Sequence, residues 1–335
     1  MSTEMQTALA ALLEPHFAGG KIQKLHLLAG GASKEAWLLD LEQHGITHEL
    51  IVRRAGGGAM NMEQLSLEQE FKVLEMAFGA GVSVPKPIAY FPDLLGREAF
   101  ISQRVRGEAV GRRVVSRSEF EQARKSLPKR MAQELAKIHA INTSSLGFLP
   151  NSGAQTGAAR AIERLYAELD SVPEAHPVIE LALLWLRQHE PPCQGEVLVH
   201  GDFRIGNLMV SETELVAVLD WEFAHLGDPA EDLAWTLIRA WRFGQDHLHL
   251  GGIGELEPYL AEYNALTGKN ISLETLHFWE VLGNTKWAVA ALTQAKRHLD
   301  GLERSVELAV LGRLSAEMEF ELLYLLEEGY AVTSQ

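Results

Sequence analysis

The rhythm of hydrophobic and polar positions changes along this chain. In "IQKLHLLAGGASKEAWLLDLE" the apolar residues flank a Gly-Gly pair, which predicts two strands joined by a turn. "HELIVRRA" predicts another short strand, and "GGGAM" breaks it. Leu67, Phe71, Leu74 and Phe78 then recur at spacings of four, three and four, which is a helical period, and Gly79 and Gly81 end that helix. "VSVPKPIAYF" is extended, because a residue before proline avoids the α region. "REAFISQRVRG" completes a small sheet that stops at Gly107.

Beyond that glycine the pattern is mostly helical. "KRMAQELAKIHAI" is one helix, with Met131, Leu135 and Ile138 on one face. "GFLPNSGAQTGAA" reads as a loop, and "VIELALLWLRQH" as a second helix ended by Pro191 and Pro192. "EVLVHGD" is a strand, while "NLMV" and "LVAVLDW" pair as a hairpin across "SETE". A helix start follows, with Asp228 as N-cap, Pro229 at the first position and Glu231 placed to complete a capping-box-like pair. The remainder is helical with short breaks. The expected layout is α+β in two lobes: a small β-rich lobe over 1–106 and a larger helical lobe over 107–335. A hinge near 102–107 would open onto a ligand cleft.

Composition narrows the partners. A chain of 335 residues with 47% hydrophobic and 22% charged residues is an ordinary globular sequence, long enough for about two domains. A net charge of -15 without a basic stripe argues against nucleic acid and against an anionic membrane surface. The longest apolar run, "LALLWL", is too short to span a bilayer. Cys193 is the one cysteine, so no intrachain disulfide forms, and the first residues lack the basic start and apolar core of a signal peptide. The expected location is cytoplasmic.

Within "VLVHGDFRIGNLMV" the apolar residues bracket His200, Asp202, Arg204 and Asn207. The second strand of the following hairpin ends in Asp220, so a strand, loop and hairpin can bring Asp202, Asn207 and Asp220 together. Two carboxylates and an amide offer hard oxygens, which suit Mg²⁺ beside substrate phosphates. A carboxylate left over can orient a hydroxyl and accept its proton, and these jobs together are phosphoryl transfer from a nucleotide. H-x-D-x-x-x-x-N alone is a weak pattern, since its residues are common in loops. Its companions strengthen it: a Gly-rich turn, a basic residue on the next strand, a Glu in the next helix, and an Asp at a strand end.

With those residues in place, the sequence resembles the aminoglycoside phosphotransferase family, which has a two-lobed protein-kinase-like fold. "LVHGDFRIGNLMV…LVAVLDWEFAHLGDPAEDLAW" is similar to that family's catalytic segment. "HGDFRIGN" and the tail "HLDGLERSVELAVLGRLSAEMEFELLYLL" resemble the branch found beside, or fused to, acyl-CoA dehydrogenases. The resemblance implies an ATP- and Mg²⁺-dependent kinase acting on a small-molecule hydroxyl. It implies Asp202 as catalytic base, Asn207 and Asp220 as the Mg²⁺ ligands, and His200 as a brace. Asp232 would hold the catalytic loop from below. Gly30, Gly31 and Ser33 would cover the phosphates. Glu70 would pair with a basic residue on the preceding strand. Gln103 and Val105 would offer main-chain groups to adenine, with Ser102 beside them.

Two departures from the kinase pattern matter. The strand that often carries Lys reads "LIVRRA" here, and Arg53 is the choice; Arg54 stays open, since a slip of one residue would turn the side chain to the other face. "LDWE" stands where many kinases have Asp-Phe-Gly, so a flipping activation segment is not expected. The acceptor stays open. The branch suggests a hydroxyacyl compound or its CoA thioester. From 211 to 330 acids outnumber bases by roughly 13, which suits a cationic aminoglycoside or amino alcohol. The hydroxyacyl class is preferred here. A rival of another class is a non-catalytic nucleotide- or partner-binding module on the same fold. His247 and His249 alternate like a metal pair but lack a third ligand, and Trp235, Trp241, Trp279 and Trp287 are candidates for the core or the acceptor wall.

Overall fold

Alternation in the first third of the chain builds one antiparallel sheet. The computed structural model describes residues 2–28, 34–56, 64–150, 153 and 155–328. Helix α1 (Ser2–Leu13) precedes strands β1 (Lys21–Leu27), β2 (Lys34–Gln43) and β3 (Ile46–Ala55). Helix α2 (Leu67–Gly79) and strands β4 (Pro87–Phe91) and β5 (Ala99–Gln103) complete the lobe, in the sheet order β1-β2-β3-β5-β4. Helix α1 had no place in the sequence expectation, although Met5, Leu9 and Leu13 recur every fourth residue. They are buried with Trp37, Leu39, Leu50 and Val52 on one face of the sheet. The alternate residues of β2 and β3 face the other way, where Lys34 and Ala36 lie opposite Ala55 and Arg53. Ser66 and Gln69 start α2 with a reciprocal capping box.

The second lobe comprises α3 (Gly111–Ser116), α4 (Glu121–His139), α5 (Gly157–Leu169), α6 (Pro177–Gln188), β6 (Val197–Val199), β7 (Leu208–Val210), β8 (Leu215–Val218) and β9 (His225–Gly227). It continues with α7 (Pro229–Trp235), α8 (Leu256–Thr267), α9 (Leu273–Leu299) and α10 (Val306–Glu328). Helix α5 begins inside the stretch read as a loop. Its cap is Thr156, whose hydroxyl accepts from Ala159 N–H, so the hydroxyl cap defines a start that periodicity alone missed. β6 pairs with β9, and β7 with β8 as the expected hairpin. The cap at Asp228 forms, but the box does not. Asp228 accepts from Ala230 N–H, while the Glu231 carboxylate turns to His225 at 3.1 Å. Among the described residues, no helix is long and apolar enough to cross a membrane.

The larger core runs through both lobes, joining Phe71, Leu74 and Phe100 to α4, α7 and α9. A polar staple fixes the lobes further. Glu134 on α4 is fully buried and accepts from Ser83 N–H at 2.7 Å and Ser83 Oγ at 3.0 Å, while Val218 N–H donates to Ser83 O at 2.7 Å. Lys137 and Arg130 balance its charge at 2.9 and 3.2 Å. Glu134→Ala orphans these donors, so it should lower the unfolding free energy by about 3 kcal/mol, measured in urea, with Glu134→Gln costing less.

Candidate active site

The loop after β6 is shaped by a carboxylate beneath it. Asp232, fully buried on α7, accepts from His200 N–H at 2.7 Å and from Gly201 N–H at 3.0 Å, and lies 3.2 Å from His139 Nε2. Gly201 has φ +80°, and an added Cβ would collide with the Phe223 carbonyl, so glycine is required there. His200 is fully buried: Nε2–H donates to Leu219 O at 3.0 Å, and Nδ1 accepts from Asp202 N–H at 3.2 Å. One ring thus ties the catalytic loop to the strand end that carries Asp220.

Asp202, Asn207 and Asp220 come to one place. The Asp202 carboxylate accepts from Trp235 Nε1 (2.6 Å), Arg204 Nε (2.9 Å) and Asn207 Nδ2 (2.5 Å). Asn207 turns its NH₂ toward Asp202, which leaves its amide oxygen for other partners. Its main-chain oxygen accepts from Leu219 N–H at 2.8 Å. Asp220 has φ +67°, a left-handed conformation that aspartate tolerates better than most residues. Arg204 stacks over Trp241 at 4.3 Å and so anchors Asp202 within its own loop.

The sheet supplies the cations. Arg53 points inward, with Nη2 2.9 Å from Asp220 and Nη1 3.6 Å from Glu70. Arg54 points the other way, to Glu35 and to the carbonyls of Leu94 and Leu95. The nearer partner of Glu70 is Lys34 at 2.7 Å, and Lys34 also holds Glu222 at 2.8 Å. Sequence reasoning missed both Lys34 and Glu222. The signal was strand parity, because Lys34 shares the inward face with Arg53. Burial alone would raise the Asp220 carboxyl, but Arg53 outweighs it, with Lys34 assisting, and holds the group below its ordinary value. Burial, and then the Asp220 charge, push Glu222 up, against the pull of Lys34.

Gly30, Gly31 and Ser33 lie outside the described residues. At the hinge, Ser102 is buried, Val105 is half-buried, and Gln103 N–H donates to Lys86 O at 2.9 Å. Any adenine contact at Gln103 therefore falls to its carbonyl. His249 pairs with Glu280 at 2.7 Å.

Asp202 lines a cavity of 880 Å³ together with Arg204, Trp235, Trp241 and Trp287. A second hollow of 310 Å³ adjoins it and shares Arg164, Phe223, Trp235 and Lys286, while Trp279 lines the second hollow alone. Although acids predominate in this lobe, five bases line the two spaces, Arg160, Arg164, Arg204, Lys286 and Arg297, beside the four acids Glu168, Asp202, Glu231 and Glu303. Burial pushes Glu231 up, but His225, Lys286 and Arg164 outweigh it and hold the carboxyl at about 2. Burial pushes His225 down, yet Glu231 raises it above its ordinary value.

Comparison with known proteins follows the same outline. The model of the phosphotransferase enzyme family (APH) matches residues 24–269. Acyl-CoA dehydrogenase family member 11 of Pongo abelii is 29% identical over 266 residues, which are 75% of this chain and 34% of that protein. The chain spans about a third of the length of the curated relatives it first matches. A proposed aminoglycoside phosphotransferase of Ralstonia eutropha JMP134 superposes with a TM-score of 0.75 at 26% identity, covering 96% of this chain and 98% of the other. Aminoglycoside phosphotransferase APH(4)-Ia, solved with AMP-PNP and hygromycin B, shares the fold with a TM-score of 0.64 at 17% identity, over 96% and 99% of the two chains.

Two expectations follow. Lys34→Met takes its nearer cation from the buried Glu70 and the Lys34 ammonium from the half-buried Glu222, so it should lower the unfolding free energy by about 3 kcal/mol, and adding Glu222→Gln should recover part of the loss in the same urea titration. The lowered Glu231 carboxyl stabilises the fold above its ordinary value of 4.5 and loses that contribution as pH falls toward 2; the raised His225 contributes fully below 6.5 and loses it as pH climbs past its folded value. The difference in unfolding free energy between the wild type and Glu231→Gln should therefore be largest between these limits, at most about 3 kcal/mol, and should shrink toward pH 2.

Proposed function

The chain belongs to the phosphotransferase enzyme family, and on that footing we propose that it transfers the γ-phosphate of ATP to the hydroxyl of a small acyl compound. The observation that carries the reading is the position of Asp202: its carboxylate lines the 880 Å³ cavity, while Asn207 and Asp220 gather beside it under the cations of the sheet. The acceptor hydroxyl lies against Asp202, which takes its proton. The new oxygen–phosphorus bond forms as the bond from the γ-phosphorus to the bridging oxygen breaks, and ADP departs. Arg53 and Lys34 balance phosphate charge from above.

Mg²⁺ suits the donors present. Arg53 helps keep Asp220 ionised, and Asn207 has its amide oxygen left over, so two hard oxygens remain for a cation that completes its shell on phosphates. Bound there, Mg²⁺ would neutralise charge on the phosphates.

For the acceptor, the aromatic wall of Trp235, Trp241 and Trp287 and the five lining bases support a hydroxyacyl compound or its CoA thioester over a polycationic aminoglycoside. The similarity to a protein named as an acyl-CoA dehydrogenase family member supports the same choice. In an ADP-release assay over hydroxy acids, hydroxyacyl-CoAs, amino alcohols and aminoglycosides, the acyl compounds should turn over. Asp202→Asn should lower kcat by about 10²–10⁴-fold while the thermal shift with ATP and Mg²⁺ persists, and Asp220→Asn should abolish that shift. Unchanged turnover in Asp202→Asn would sink the base assignment.

A further inference from the structure

We infer that the 310 Å³ hollow beside the catalytic cavity is a subsite for an anionic group, carboxylate or phosphate, carried by the acceptor. The inference rests on the kinase reading only for where the hydroxyl lies. Arg160 and Arg164 stand four residues apart on α5, so both side chains rise from one face of that helix, and Lys286 reaches the same space from α9. Like charges at that helical spacing repel, a cost that an anion between them removes. The negative group of the hollow, Glu231, is already engaged. His225 takes it at 3.1 Å, and Lys286 stands 3.9 Å away with its ammonium 5.0 Å from the centre of the Trp235 ring. Arg164 touches Glu168 at 3.3 Å, on the side of the larger cavity.

The rest of the lining is apolar or small, with Pro150, Gly157, Ala161, Leu282 and Trp279. An anion entering it leaves water, and charge-assisted bonds to the three cations replace its hydration. Phe223 and Trp235, shared by both spaces, put an aromatic surface between this subsite and Asp202. The matching ligand has a hydroxyl at one end, an apolar spacer, and an anion at the other.

The test uses the full chain with the nucleotide site filled by ADP and Mg²⁺. Tryptophan fluorescence, which Trp235 and Trp279 bring to the hollow, is followed during titration with a hydroxy acid, its methyl ester and inorganic phosphate. The acid or the phosphate should saturate the signal, with the ester about tenfold weaker or worse. Arg160→Gln and Lys286→Gln should each weaken the anion by about tenfold, and Lys286→Arg should retain it. A stronger response to the acid identifies a carboxylate as the source of the anion, and a stronger one to phosphate identifies a phosphate. Equal binding of acid and ester, or unchanged anion binding in both glutamine variants with native melting temperatures, would overturn the subsite. Loss of the ATP and Mg²⁺ thermal shift in the wild type would instead overturn the kinase reading and leave the variants' anion titrations standing.

Discussion

The geometry of the catalytic loop depends on one buried carboxylate. Asp232 is fully buried, and removing a charge from water costs several kcal/mol unless other dipoles replace the hydration. Here the replacement is the loop itself: the N–H groups of His200 and Gly201 point at the carboxylate, and His139 closes the third side. The loop cannot move without orphaning that charge. Because Asp228 caps α7 one turn earlier, the helix that carries Asp232 is fixed in turn. Asp202 therefore faces the cavity on a backbone set before any ligand arrives, which is the pre-organisation that electrostatic catalysis relies on.

A second constraint acts between the lobes. Glu70 on α2 and the pair Asp220 and Glu222 after β8 converge from two segments and repel one another unless cations intervene. Lys34 and Arg53, two positions on the inward face of adjacent strands, supply them. Lys34 bridges α2 to the segment after β8, and Arg53 bridges the sheet to Asp220. In the proposed kinase the same groups that balance the carboxylates would face a nucleotide's phosphates, so lobe packing and phosphate recognition would share one set of charges.

These two constraints explain what the sequence made legible. The loop was readable because Asp202, Asn207 and Asp220 are close in sequence and their chemistry is narrow. Arg53 could be chosen but not separated from Arg54 in the sequence, because only the pairing of β2 with β3 fixes which way each points. Lys34 was not readable as a partner of Glu70 and Glu222, because tertiary pairing chose it over the nearer candidate, Arg53, for the shorter contact. Glu231 met every local rule for a capping box and abandoned it for His225, a stronger partner that only the β6–β9 pairing brings near. Helix α1 had a legible period at Met5, Leu9 and Leu13, but its role became evident only against the sheet face it covers.

Charge counting over a whole lobe does not carry into the cavity. Acids predominate in the lobe, yet five bases stand beside four acids where the two spaces lie. Solvent-facing acids are screened by salt over about 8 Å, whereas groups in a partly enclosed hollow interact across a lower effective dielectric. The charges of the surface and those of the cavity therefore act at different range. An exterior of net charge -15 slows the approach of an anion without changing its fit, so in the proposed subsite selection for charge would rest on Arg160, Arg164 and Lys286 at short range.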